Sequence, residues 1–234
     1  QEIEDLFAFL YKKKISVLAT LLKGHNTSIE DLHETTWHDW YASVESDFDF
    51  LSKRCDEIFI IGLSVGATLA LHLAANKRTP KIRGLVLLAP AIFYASPLIH
   101  LTPFLQHLKR HTTKDYSKYY PKRKKAFFDI ADGRALEGRI AYKKAPLRAL
   151  ASALSLIKIV KKEIRKIKLP ALIMHSLKDN TIKPKSAWFV YNQISTLAER
   201  KKLVYLKNSG HVITVDFDKE LVFKEIYNFI RRNR

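Results

Sequence analysis

The chain has 234 residues, 47% hydrophobic and 27% charged, enough for one α/β-sized domain with a sizeable core, and this composition excludes a disordered chain. A single cysteine, Cys55, excludes an internal disulfide framework and fits a reducing, cytoplasmic compartment. The formal net charge of +18 raises an anionic partner, either nucleic acid or acidic lipid head groups.

Much of that charge lies in Lys109–Lys125 and Lys158–Lys168. Tyrosines among the first group of lysines could stack bases, but no recognised nucleic-acid module accompanies them, so no nucleic-acid partner is expected. A solvated lysine-rich surface is the simpler reading, and an anionic lipid surface is the partner left open. Gln1–Lys14 has acidic residues before its lysines, the reverse of a secretory signal.

Taken in order, Ile3–Lys13 places Ile3, Leu6, Phe7 and Leu10 on one face and predicts an amphipathic helix. Ile15–Leu22 reads as a strand, and Lys23–Asn26 as the turn leaving it. Thr36, with Asp39 three residues on, forms a capping-box pattern. It opens a helix over Trp37–Ser52 that buries Trp40, Val44, Phe48 and Leu51. Ile58–Ile61 is a short apolar run expected to be a buried strand, followed by Gly62-Leu63-Ser64-Val65-Gly66 and then apolar residues at helical spacing. Ile58–Asn76 contains no Asp, Glu, Lys or Arg, but two glycines, a serine, a threonine and a histidine argue against a membrane span. Arg83–Leu88 is a further strand ending at Ala89-Pro90.

Alternation then stops. Ala95–Ala145 has prolines at 97, 103 and 121, clustered aromatics and no strand-like run; it reads as a helical insertion or lid. Pro146–Lys161 carries the helical stripe Leu147, Leu150, Leu154, Ile157. Strand and helix resume with Ala171–His175, Pro184–Leu197, Lys202–Leu206 and Lys219–Arg231. Such regular alternation implies a parallel sheet covered on both faces.

Strand, G-x-S-x-G, helix is the context of a nucleophile elbow. Flanking glycines let backbones approach closely around a strained serine, and the helix amino terminus brings N–H groups to a developing oxyanion. A serine nucleophile needs a base and an acid to orient it. Asp179 follows the strand Ala171–His175, and His211 follows Lys202–Leu206, both at carboxyl ends of expected parallel strands and in the order Ser, Asp, His. Ser64, Asp179 and His211 are therefore the candidate catalytic residues. His175 and His72 read as packing residues and His25 as a loop residue, while Asp216 and Asp218 come after His211, in the wrong order. No metal-ligand spacing and no phosphate-binding glycine loop is present, so neither metal nor cofactor is expected.

Leu22–Asn26, Thr35–Trp40, Gly62–Gly66, Leu87–Pro90, Lys178-Asp179 and Ser209–Val212 together resemble bacterial carboxylesterases of the monoacylglycerol-lipase type, within the α/β-hydrolases. The resemblance spans nearly the whole chain and is loosest across the lid. It implies a mostly parallel sheet with helices on both faces and a small helical cap inserted after the strand ending near Pro90. Residues 1–94 and 158–234 would form the core and 95–157 the cap. It implies a cofactor-free serine hydrolase acting on small-molecule esters with short to medium acyl chains, or on monoacylglycerols. Ser64 would be the nucleophile, His211 the general base and acid, Asp179 its orienter, and the Val65 N–H one oxyanion donor. Asn26 stands where the family more often has glycine, and asparagine tolerates the same left-handed turn. The family's other oxyanion donor and the strand feeding it precede the helix at Ile3–Lys13. Residues upstream of Gln1 are expected to supply them, the alternative being that Ile15–Leu22 pairs directly with Ile58–Ile61. Acyl transfer or thioester hydrolysis would use the same triad, and a non-catalytic hydrolase-like binding protein is the remaining class.

Overall fold

Apolar residues that alternate faces in four short runs form the central sheet of the computed structural model, which describes residues 2–120, 128–137 and 143–234. In chain order the elements are α1 (Glu4–Lys12), α2 (Ile29–Glu34), α3 (Trp37–Ser52), β1 (Ile58–Leu63), α4 (Val65–Asn76) and β2 (Ile82–Leu88), then α5 (Thr102–Leu105), β3 (His111–Thr113), β4 (Lys144–Pro146) and α6 (Leu147–Glu163), and finally β5 (Ala171–Ser176), α7 (Lys185–Gln193), β6 (Lys201–Leu206) and α8 (Lys219–Arg232). The main sheet is parallel throughout, in the order β1-β2-β5-β6.

Strand alternation decides which helices lie on which face. Leu85, Leu87, Ala171 and Ile173 join a core with residues of α3, α4, α6 and α7. Val86, Leu88, Leu172 and Met174 point the other way, into a core with Leu6 and Leu10 of α1 and Val222, Phe223, Ile226 and Ile230 of α8. Both faces are thus covered, as a buried parallel sheet requires. The capping box opens α3 as expected: the Thr36 N–H donates to Asp39 Oδ2 at 2.9 Å. Asn26 is left-handed, φ 58°.

Three expectations need correction. Ile15–Leu22 forms no strand. Ile15 and Val17 pack on the α1–α8 core while Leu18 and Leu21 are exposed, and no strand among the described residues pairs with the segment to supply its ladder. It does not pair with β1, whose partner among the described residues is β2. The expected helical insertion contains an antiparallel ribbon, β3 with β4. Finally, the boundary drawn at 157/158 falls inside α6, a single helix. One side of that helix (Ala149, Ala153, Leu156, Val160) faces the main core, and the other (Leu150, Leu154, Ile157) packs with Ile99 and Tyr94 of the insertion. Residues 121–127 and 138–142 of the expected cap, and so residues 121–125 of the basic stretch Lys109–Lys125, lie outside the described residues.

Candidate active site

Three strand ends deliver three side chains to one place. Ser64 follows β1, Asp179 follows β5 and His211 follows β6. Ser64 sits at φ 56°, ψ −118°, a region that non-glycine residues avoid at a cost of about 1–3 kcal/mol. Its N–H donates to the Leu88 carbonyl at 2.9 Å, tying the elbow to the end of β2. Gly62 explains how so sharp a turn closes: a Cβ there would lie 2.4 Å from the Gly66 carbonyl oxygen and 2.6 Å from the Ala67 nitrogen. The second glycine differs from expectation. A Cβ on Gly66 would meet nothing within 4 Å among the described residues.

The Ser64 hydroxyl lies 2.9 Å from His211 Nε2, and His211 Nδ1 lies 2.7 Å from Asp179 Oδ2. The other carboxylate oxygen accepts the N–H groups of Thr181 at 2.8 Å and Ile182 at 2.7 Å. Burial alone would raise the Asp179 pKa, but the attraction of His211 and the bonds from both neighbouring imidazoles outweigh it and hold the carboxyl well below the usual carboxylate range. Burial likewise pulls His211 down, and the Asp179 charge more than offsets it, leaving the imidazole above its ordinary value. In this arrangement a hydroxyl can give its proton to an imidazole whose positive charge a buried carboxylate then stabilises. Val65 opens α4, so its N–H has no intrahelical partner.

Two of the other histidines singled out in the sequence lie elsewhere. His25 stacks edge-on against Trp40. His72, on α4, pairs with Glu163 at 2.7 Å and meets Trp37 and Tyr41 edge-on. His175 is different from expectation: besides filling the core, its Nε2 lies 2.9 Å from Asp179 Oδ2. Among the described residues no group of three or more His, Cys, Asp and Glu is arranged to hold a metal ion.

Sequence reasoning missed three carboxylates that hold the site loops. Asp129, from the insertion, accepts bonds from the Asn180 N–H at 2.7 Å, Thr181 Oγ1 at 3.0 Å and the Tyr120 hydroxyl at 2.6 Å. Its carbonyl accepts the His211 N–H at 2.8 Å. Asp216 accepts the N–H groups of Gly210, Ala131 and Asp132, and Asp218 those of Asn208 and Ser209. Gly210 is needed here, since a Cβ would lie 2.6 Å from the Asp129 carbonyl oxygen. The signal available was the density of Asp, Ser and Gly in Asn208–Asp218, which marks side chains bonded to local backbone.

Residues 1–218 match the family described as Hydrolase_4, serine aminopeptidase, S33. The chain is 32% identical over 222 residues to a thermostable monoacylglycerol lipase of Bacillus sp. (strain H-257), covering 95% of this chain and 82% of that protein. It is 25% identical over 232 residues to a carboxylesterase of Bacillus subtilis (strain 168), covering 99% and 87%. A solved structure described with the metagenome-derived lipolytic enzymes LipS and LipT superimposes with a TM-score of 0.86 at 26% identity, covering 99% of this chain and 88% of that one. The monoacylglycerol lipase of Paleococcus ferrophilus shares the fold, with a TM-score of 0.75 at 17% identity, covering 99% and 89%. The chain belongs to this serine aminopeptidase S33 family of hydrolases, within the α/β-hydrolase fold.

Proposed function

We propose that the protein hydrolyses carboxylic esters of short to medium acyl chains, as a carboxylesterase or monoacylglycerol lipase, through an acyl-enzyme on Ser64. The observation that carries this is the unbroken hydrogen-bonded series from a strained Ser64 hydroxyl through His211 to a buried Asp179. The named activities of the curated relatives point to the same reaction. In this reading His211 takes the Ser64 proton as the hydroxyl attacks the ester carbonyl, and the Val65 N–H binds the oxyanion. His211 then returns the proton to the leaving alcohol. Water, activated by the same imidazole, releases the acid. Labelling with a fluorophosphonate and turnover of p-nitrophenyl butyrate test it. Both should vanish in Ser64→Ala, whose fold is kept because the elbow depends on Gly62. Wild-type turnover in that variant overturns the serine mechanism.

The cap and an anionic lipid surface belong to the same proposal. Leu98, Leu101, Phe104 and Leu108 are exposed at spacings of three and four, while Ile99 and Thr102 between them are buried. Lys109 and Arg110 follow, both exposed, and no acidic residue occurs from Ala95 to Lys114. An apolar stripe beside exposed cations suits the surface of an anionic membrane, each cation adding about 1 kcal/mol near it. Sedimentation with phosphatidylglycerol vesicles should exceed that with phosphatidylcholine and fall in Phe104→Ser/Leu108→Ser. Equal binding to both lipids removes this part of the reading. No helix among the described residues is long and apolar enough to cross a membrane. The single cysteine supports placing the enzyme in the reducing cytoplasm.

A further inference from the structure

The Asp179 carboxylate meets a second imidazole for which a three-residue site has no use. His175, on β5, is fully buried, and its Nε2 lies 2.9 Å from Asp179 Oδ2, the oxygen that also takes His211 Nδ1. The Ile182 carbonyl oxygen lies 3.2 Å from the same Nε2. Two acceptors converge on that nitrogen, so it must carry the ring proton; a lone pair there would face two oxygens. The other nitrogen, Nδ1, is buried and has no hydrogen-bond partner among the described residues. Ile182 closes a circuit, since its carbonyl accepts from His175 while its N–H donates to Asp179 Oδ1 at 2.7 Å.

A histidine on a buried strand is ordinarily core filler. That role does not account for a buried nitrogen left without a partner, a cost that leucine or methionine would avoid at the same position. We propose that His175 is a positioning residue for Asp179: resting on the triad reading above, its Nε2–H holds the carboxylate in rotation and draws charge from the oxygen on which His211 depends. With Oδ2 shared between two N–H groups, the carboxylate is a weaker acceptor for His211. The imidazolium formed during reaction then gives up its proton more readily to the leaving alcohol. The charged groups acting on His211 are Asp179, Asp129 and Glu2. Asp179 is the charged group in contact with His175.

The test compares His175→Leu and His175→Gln in the full chain, with Ser64→Ala beside them, on p-nitrophenyl butyrate. The leucine variant should keep a cooperative thermal transition, lose about ten- to a hundredfold in kcat with KM unchanged, and move the acid limb of kcat/KM to higher pH as His211 becomes more basic. Glutamine, whose amide N–H can reach the same oxygen, should recover most of kcat and return the limb. If the leucine variant does not fold, His175→Met takes its place against glutamine, having similar length without the donor. A folded Leu or Met variant with wild-type kcat and limb overturns the proposal. So does a loss of kcat with an unmoved limb that glutamine does not recover. Activity surviving in Ser64→Ala would instead overturn the triad reading, so the two failures are distinct.

Discussion

Replacing Asp179 by asparagine tests the site most sharply, because the surroundings dictate which way the new amide must face. One carboxylate oxygen accepts the Thr181 and Ile182 main-chain N–H groups at 2.8 and 2.7 Å, and neither donor can reverse its sense. The amide oxygen must therefore stay there, turning the NH2 group toward the two imidazoles. His211 can answer only by accepting at Nδ1, which moves its own proton to Nε2, 2.9 Å from the Ser64 hydroxyl. The ring then presents a proton where it should receive one. A tautomer lock of this kind removes about 10⁴ in kcat, roughly 5.4 kcal/mol of barrier. Initial rates on p-nitrophenyl butyrate between about pH 6 and 9, where the imidazole titrates, give the measurement, with thermal unfolding to show that the variant is folded. The loss should persist across the whole range, since alkali does not restore the tautomer. A folded variant within tenfold of wild type at any pH would refute the argument.

Gly62→Ala should destabilise by about 3 kcal/mol or more, because a Cβ 2.4 Å from the Gly66 carbonyl oxygen meets backbone that cannot step aside; a denaturation midpoint equal to wild type contradicts this. Activity requires neutral His211, whose pKa is raised, so the acid limb of kcat/KM should lie above the ordinary imidazole value of about 6.5, and a limb below it counts against the pairing. For stability the signs separate. The His211 contribution is full below about pH 6.5 and is lost as pH rises through its folded value. The Asp179 contribution is present above about pH 3.9 and is lost as pH falls through its depressed one. The Tm advantage of wild type over Asp179→Asn should accordingly shrink in acid, and a constant gap would contradict it. Leu150, half-buried between α6 and the insertion, should shift acyl-chain preference toward shorter esters when replaced by tryptophan; an unchanged profile marks it as core alone.

What could be read from the residues was whatever local periodicity and spacing encode. The elbow, the capping box at Thr36 and Asp39, and the strand ends before Asp179 and His211 are local, and the structure has each of them. Ile15–Leu22 shows the limit of alternation: it tells which side chains turn inward, not whether another strand lies alongside. The three-residue strands β3 and β4 are too short for a period to register. His175 and Asp129 were hidden for another reason. Asp129 is 51 residues from Asn180, whereas Asp179 is only four residues beyond His175, but a lone histidine in a strand or a lone aspartate after two phenylalanines has no distinguishing pattern. The unneeded Gly66 shows the converse, since a motif letter does not say which of its glycines is sterically required.

The attachment of Asp129 ties the insertion to the loops that carry Asp179 and His211 as one mechanical unit. The insertion holds the Asn180–Thr181 turn through this carboxylate and the His211 main chain through its carbonyl, while Asp216 fastens Ala131 and Asp132 to Gly210 from behind. On the reading that an acyl group lies beneath the insertion, one that fits should leave those anchors in place. A bulkier one that lifts it also loosens the backbone on which the imidazole and the carboxylate are mounted. Poor substrates should then be turned over slowly even when bound, so that discrimination is expected in kcat more than in KM.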